Sequence, residues 1–169
     1  MTISGLKLCG LIEALQLTND SLENIYGFFK FFTKVSKIDG YIKIEHNKKL
    51  ENIRFLKGIS YVGSSFYLHH NNLKSLNGLE DLIEVNASLS LSSNQIKDLE
   101  PLYNLKKVNG MLGLAYNLLI SLRGIDNLVE ISVTKWGNEY RSIAIQGNKN
   151  LKDISSLQNI ISNTKHCII

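Results

Sequence analysis

Proline is nearly missing from this chain, with Pro101 alone among 169 residues, so proline-rich linkers and polyproline recognition tracts are excluded. Cysteine occurs only twice, at Cys9 and Cys167, too few for a disulfide-stapled scaffold. Tryptophan occurs once, at Trp136. Apolar runs are short, and none approaches the ~18 residues a spanning helix needs. The N-terminal MTISGLKLCGLIEALQL has one lysine but no basic region followed by a long apolar core, so no signal peptide is expected. Charge of one sign is weak, at +4 net. Motifs of chemistry are missing too: no glycine-rich phosphate loop, no metalloprotease helix and no nucleophile elbow. The expectation is a protein that is not an enzyme and carries no cofactor.

What the chain does have is a sentence written three times, VGSSFYLHHNNLKSLNGLEDLIE (62–84), VNASLSLSSNQIKDLEPLYNLKK (85–107) and VNGMLGLAYNLLISLRGIDNLVE (108–130). Val62, Val85 and Val108 open the copies. Apolar pairs follow at Phe66 and Leu68, Leu89 and Leu91, Leu112 and Leu114, and then an asparagine at Asn71, Asn94 and Asn117. After it, apolar residues recur about every third position, as in Leu73, Leu76, Leu79 and Leu82. Outer copies extend the ladder to Asp20, Asn47, Asn71, Asn94, Asn117 and Asn148, at spacings of 27, 24, 23, 23 and 31. Leu-x-Leu-x-x-Asn-x-Leu at such a period is the signature of a leucine-rich-repeat solenoid. The expected fold is an α/β solenoid of about six coils of 23–24 residues, with one continuous parallel β-sheet and few short helices. It is a single domain over 1–169: a partial coil at 1–14, repeats over 15–160 and a C-terminal edge at 161–169.

Each coil contributes a short strand whose two apolar side chains point inward, and no coil can bury its apolar row alone. The ladder asparagine lies in the turn, where its amide serves backbone groups that lack partners. Losing one such amide is expected to cost about 1–3 kcal/mol. Five coil steps of ~4.8 Å separate the ends by roughly 24 Å, so Cys9 and Cys167 cannot meet in a disulfide that needs Cα atoms within about 7 Å.

The fuller form Ile38-x-Gly40-x-Ile42-x-Ile44-x-x-Asn47-x-x-Leu50-x-x-Ile53-x-x-Leu56, repeated as Val108-x-Gly110-x-Leu112-x-Leu114-x-x-Asn117, resembles repeats of the receptor L-domain family. That family includes the ligand-binding domains of insulin and growth-factor receptors and many bacterial relatives. The resemblance covers roughly 15–160 and implies a right-handed coil whose open sheet face binds protein or peptide ligands. The paired cysteines of the receptor domains are missing here.

Two insertions interrupt the rhythm. Residues 22–38 carry Tyr26, Phe28, Phe29, Phe31 and Phe32, expected as a short capping helix. Residues 131–143 are eight longer than their equivalents and hold Trp136, Tyr140 and Arg141, residue types enriched at binding hot spots. The outward sheet positions add Tyr41, Lys43 and Glu45, then Tyr67 and His69, then Ser90. These nine residues are the candidate surface for a protein or peptide partner. The expected role is a protein–protein interaction module, an intracellular inhibitor or adaptor. The alternative is a ligand-binding fragment of a secreted or cell-surface L-domain protein. Unpaired cysteines and the lack of a leader favour the cytoplasm. Open solenoid ends permit a weak homodimer.

Nucleic acid is not expected, since the Lys74, Lys97, Lys152 column is broken by Glu51 and Ile120. Nor is a metal: His46 and His70, and Glu45 and His69, share positions on neighbouring coils, but Ser92 and Ser93 follow on the next. A zinc ion needs three or four convergent donors.

Overall fold

A computed structural model describes residues 6–7, 11–12, 15–18, 35–136 and 139–163. Asp20, the aromatic stretch of 22–34, both cysteines, Ile168 and Ile169 lie outside the described residues.

The chain is mostly β, wound as a solenoid. Its strands are β1 (Leu6–Lys7), β2 (Leu11–Ile12), β3 (Leu15–Thr18), β4 (Lys37–Ile38), β5 (Ile42–Glu45), β6 (Tyr61–Val62) and β7 (Phe66–Tyr67). Then come β8 (Glu84–Val85), β9 (Leu89–Ser90), β10 (Lys107–Val108), β11 (Leu112–Gly113), β12 (Glu130–Ile131), β13 (Thr134–Trp136), β14 (Glu139–Arg141) and β15 (Ile143–Ala144). Among the described residues one α-helix, α1 (Leu157–Asn163), follows.

The strands form two sheets where the sequence led us to expect one. The first runs β1-β2-β4-β6-β8-β10-β12, parallel except for the β1–β2 pair, and the second, all parallel, runs β15-β11-β9-β7-β5-β3. The reason lies at the head of each repeat. Val62, Val85 and Val108 fill the core and also pair backbone to backbone with the neighbouring coils. Three residues, such as Asn109-Gly110-Met111, then turn the chain before the second strand begins. Four turns separate β4 from β12.

The return side of each coil is extended rather than helical, which makes the fold mostly β where α/β was expected. Its backbone is satisfied by the next coil: the amide of Gln95 donates to the carbonyl of Leu73 at 2.9 Å, and that of Leu118 to Ile96 at 2.9 Å. Helical character there is limited, among the described residues, to single 3₁₀ turns at Arg54–Leu56 and Glu100–Leu102. In the coil after each sits a glycine, Gly78 and then Gly124, at φ +116° and +109°. A Cβ on either would fall 2.2–2.3 Å from backbone atoms of the preceding turn, at Ile53 or Leu99. The coils therefore alternate between a 3₁₀ turn and a glycine that lies flat against it.

Inside, the apolar rows close completely. Leu68, Leu91 and Leu114 form one fully buried stack and Leu76, Leu99 and Leu122 another. The last coil departs from expectation. Ile154, three residues after Leu151 and so in line with the apolar spacing, is 50% exposed, while Leu157 and Ile160 of α1 are buried. The chain enters a helix here, and its different period sets Leu157 and Ile160 inward.

The asparagine ladder binds each coil to the one before it. Asn94 Nδ2 donates to the carbonyls of Leu91 at 3.0 Å in its own coil and Leu68 at 2.9 Å in the preceding one, and its Oδ1 accepts from the Leu73 amide at 3.1 Å. Asn117 and Asn148 repeat the arrangement one and two coils later. Asn71 differs: its Oδ1 accepts from the backbone amide of Asn47 itself at 2.8 Å.

Asp126 fastens α1 and its lead-in to the solenoid. Its carboxylate accepts from the Gly124 amide at 2.8 Å and from the Ser156 hydroxyl at 2.8 Å. These bonds, the Gly124 amide first, hold its pKa below the ordinary 3.8, against a smaller opposing effect of burial. A depressed carboxylate pKa gives stability that is complete above the unfolded value and fades as pH falls through the folded one. Hydrogen exchange is therefore expected to show residues 153–163 opening below about pH 4, before the inner coils. Unchanged protection of 153–163 between pH 6 and pH 3 contradicts that role.

Candidate functional site

The outer face of the second sheet is built by strict alternation. Ile42 and Ile44 of β5 are buried while Lys43 and Glu45 point out, and Phe66 and Leu68 are buried while Tyr67 and His69 point out. The parallel register sets Lys43 beside Tyr67, and two residues further it brings Glu45 beside His69. Tyr41 reaches the preceding strand, its hydroxyl donating to Gln16 Oε1 at 3.4 Å.

Glu45 is the hub. Lys43 Nζ lies 2.9 Å from its Oε1, and His69 Nε2 lies 3.0 Å from its Oε2. The Glu45 carboxylate raises the Lys43 ammonium above its usual range, by hydrogen bond first and charge second. His69 moves the other way: partial burial pushes its pKa down, and the Glu45 charge only partly offsets this. Its ring meets Tyr67 edge to face at 5.7 Å.

The turn after β5 adds what strand alternation could not. His46, His70, Ser93 and Tyr116, each just before a ladder asparagine, all adopt left-handed backbone at φ 55–58°. Gly147, at φ 78°, holds the same place in the last coil. The left-handed turn swings His46 to the side of Glu45 and His69, its ring stacked on that of His70 at 4.9 Å and 10°. Glu45, His46 and His69 each present a donor atom, all within 4.8 Å of one another. Counting donors in lateral register misses this third one, because it comes from the adjacent residue of the same coil. The one hint in the sequence is Gly147, the residue type that most readily takes positive φ, directly before Asn148.

Beyond Tyr67 the face falls away to small residues. Ser90 is half-buried, and Gly113, Ala115 and Ala144 are buried. The 131–143 insertion forms the antiparallel hairpin β13–β14, with Lys135 opposite Tyr140 and Trp136 opposite Glu139. It leads into β15, three strands from β7, or roughly 14 Å at ~4.8 Å per strand. The structure therefore gathers Tyr41, Lys43, Glu45, Tyr67 and His69 into one patch, sets Ser90 at its edge and leaves Trp136, Tyr140 and Arg141 at the far side of the sheet.

The lysine column is not a continuous basic strip: Lys74 pairs with Glu51 at 2.9 Å across neighbouring coils. No helix of the described residues is long and apolar enough to cross a membrane. No family model, curated protein or solved structure matches the chain.

Proposed function

We propose that this chain is a non-enzymatic protein-binding module, a leucine-rich-repeat domain of receptor L-domain type with about six coils. Its partner, a protein or peptide, docks on the second sheet around Tyr41, Lys43, Tyr67 and His69, with the Trp136–Arg141 hairpin as a second contact. The observation that carries this reading is the state of the patch before any partner arrives. Lys43, Glu45 and His69 are linked in a chain of 2.9 and 3.0 Å contacts, and Tyr67 packs against the end of it. Side chains held in place lose little rotamer freedom on association, and tyrosine offers large contact area for two torsions.

The test is affinity capture from the source organism's extract with wild type, Tyr67→Ala and Trp136→Ala, each first shown to be folded. Hot-spot truncations cost about 2 kcal/mol or more, so Tyr67→Ala is expected to lower affinity for a captured partner by roughly thirtyfold. A partner held equally by wild type and Tyr67→Ala removes the patch from the interface.

A further inference from the structure

We propose that Glu45, His46 and His69 form a binding site for a divalent transition-metal cation of the zinc class. Two imidazole nitrogens and one carboxylate suit zinc, cobalt, nickel or copper, whereas calcium and magnesium favour oxygen donors throughout. The site owes its existence to backbone geometry. Successive strand residues point to opposite faces, so Glu45 and His46 would part company in a continuing strand. The left-handed turn at His46, φ 57°, instead brings its ring within 5.9 Å of the His69 ring, centre to centre.

The distances are near those of ligation. Donors ~2.1 Å from a tetrahedral cation stand ~3.4 Å apart, and Glu45 Oε2 and His69 Nε2 are 3.0 Å apart. The donor separations, up to 4.8 Å, have to shrink by as much as about 1.4 Å. His46 is exposed, and turning its ring out of the His70 stack supplies that movement. A second observation concerns His69 alone. Its Nδ1 is shut off from solvent and has no hydrogen-bond partner, so the ring's polar contact is that of Nε2 with Glu45 Oε2, on the side where a cation would sit. Opposing the cation is Lys43, whose ammonium holds Glu45 Oε1 at 2.9 Å. A cation would have to share that carboxylate with it.

This inference stands apart from the protein-binding proposal, because the three donors need no partner to converge. The test is titration of the whole chain with Co²⁺, followed by visible d–d absorption, and then displacement by Zn²⁺. One equivalent is expected to bind with a tetrahedral-type spectrum, and Mg²⁺ is expected not to compete. His46→Gly is the informative variant, since glycine accepts the positive φ and removes only the imidazole. It is expected to weaken binding by more than about tenfold, the lower bound found even for residues that merely orient a ligand. Lys43→Ala is expected to tighten binding, a direction that structural damage does not produce. A wild-type chain that gives no spectrum, or a His46→Gly chain that binds as wild type does, overturns the assignment.

Discussion

Gly124→Ala is expected to be among the most damaging single substitutions in this chain. Gly124 sits at φ +109°, and an added Cβ would lie 2.2 Å from the carbonyl carbon and oxygen of Leu99. Both obstructing atoms are backbone, so no rotamer change relieves the overlap, and the two coils must separate. A forbidden φ costs about 1–3 kcal/mol and forced overpacking a similar amount. The sum, about 2–6 kcal/mol, is a large share of the 5–15 kcal/mol that typically holds a domain together. Thermal unfolding followed by circular dichroism checks it, with a drop of roughly 5–20 °C expected. Gly58→Ala is the control. Gly58 has a similar φ, +94°, but the nearest atom to its Cβ would be 3.7 Å away, so it reports the torsional strain without the collision. Equal melting temperatures for the two variants would rule out the close-approach argument.

Asn94→Ala is expected to follow closely, at about 3–5 kcal/mol, more than the 1–3 kcal/mol expected for one unsatisfied backbone group. The structure explains the increase. Asn94 is 8% exposed and serves four backbone groups: its amide donates to the carbonyls of Leu68, Leu91 and Ser92, and its oxygen accepts from the Leu73 amide. Alanine removes all four bonds and leaves the Leu73 amide without an acceptor inside the solenoid, while the carbonyls of Leu68, Leu91 and Ser92 each keep one donor, from Asn71, Asn117 and the His70 amide. Asn86→Ala, which removes an exposed side chain that donates to the Gly63 carbonyl at 3.4 Å and accepts from Asn109 Nδ2 at 2.8 Å, is expected to cost about 1 kcal/mol. Chemical denaturation of both variants measures the gap, and similar losses would mean that the ladder is incidental.

The solenoid was legible in the sequence because its rules are short-range. Alternation at Ile42 and Ile44, apolar spacing by threes at Leu73, Leu76, Leu79 and Leu82, and an asparagine at each turn all repeat within a single coil. The second sheet was not legible, because Val85 looks the same in a sequence whether it only fills the core or also pairs with Val62 and Val108. Its role depends on where the chain bends at Asn86 and Ala87. The site divides in the same way. Tyr41, Lys43, Glu45, Tyr67 and His69 follow from alternation and coil register. The place of His46 depends on the sign of a torsion angle, which the histidine itself does not announce. The eight extra residues of the 131–143 stretch were visible as length, but their antiparallel hairpin and its distance from Tyr67 were not.

The left-handed column has one more consequence. Two histidines, a serine, a tyrosine and a glycine hold the same backbone position in successive coils, at φ between 55° and 78°. The fold beneath them is unchanged: each is followed by an asparagine of the same ladder. Backbone geometry and surface chemistry are thus separately heritable along this line. A codon change at 46, 70, 93 or 116 rewrites what the molecule shows to its surroundings while the amides beneath continue to close the coil, so new recognition can evolve here without the fold being reinvented.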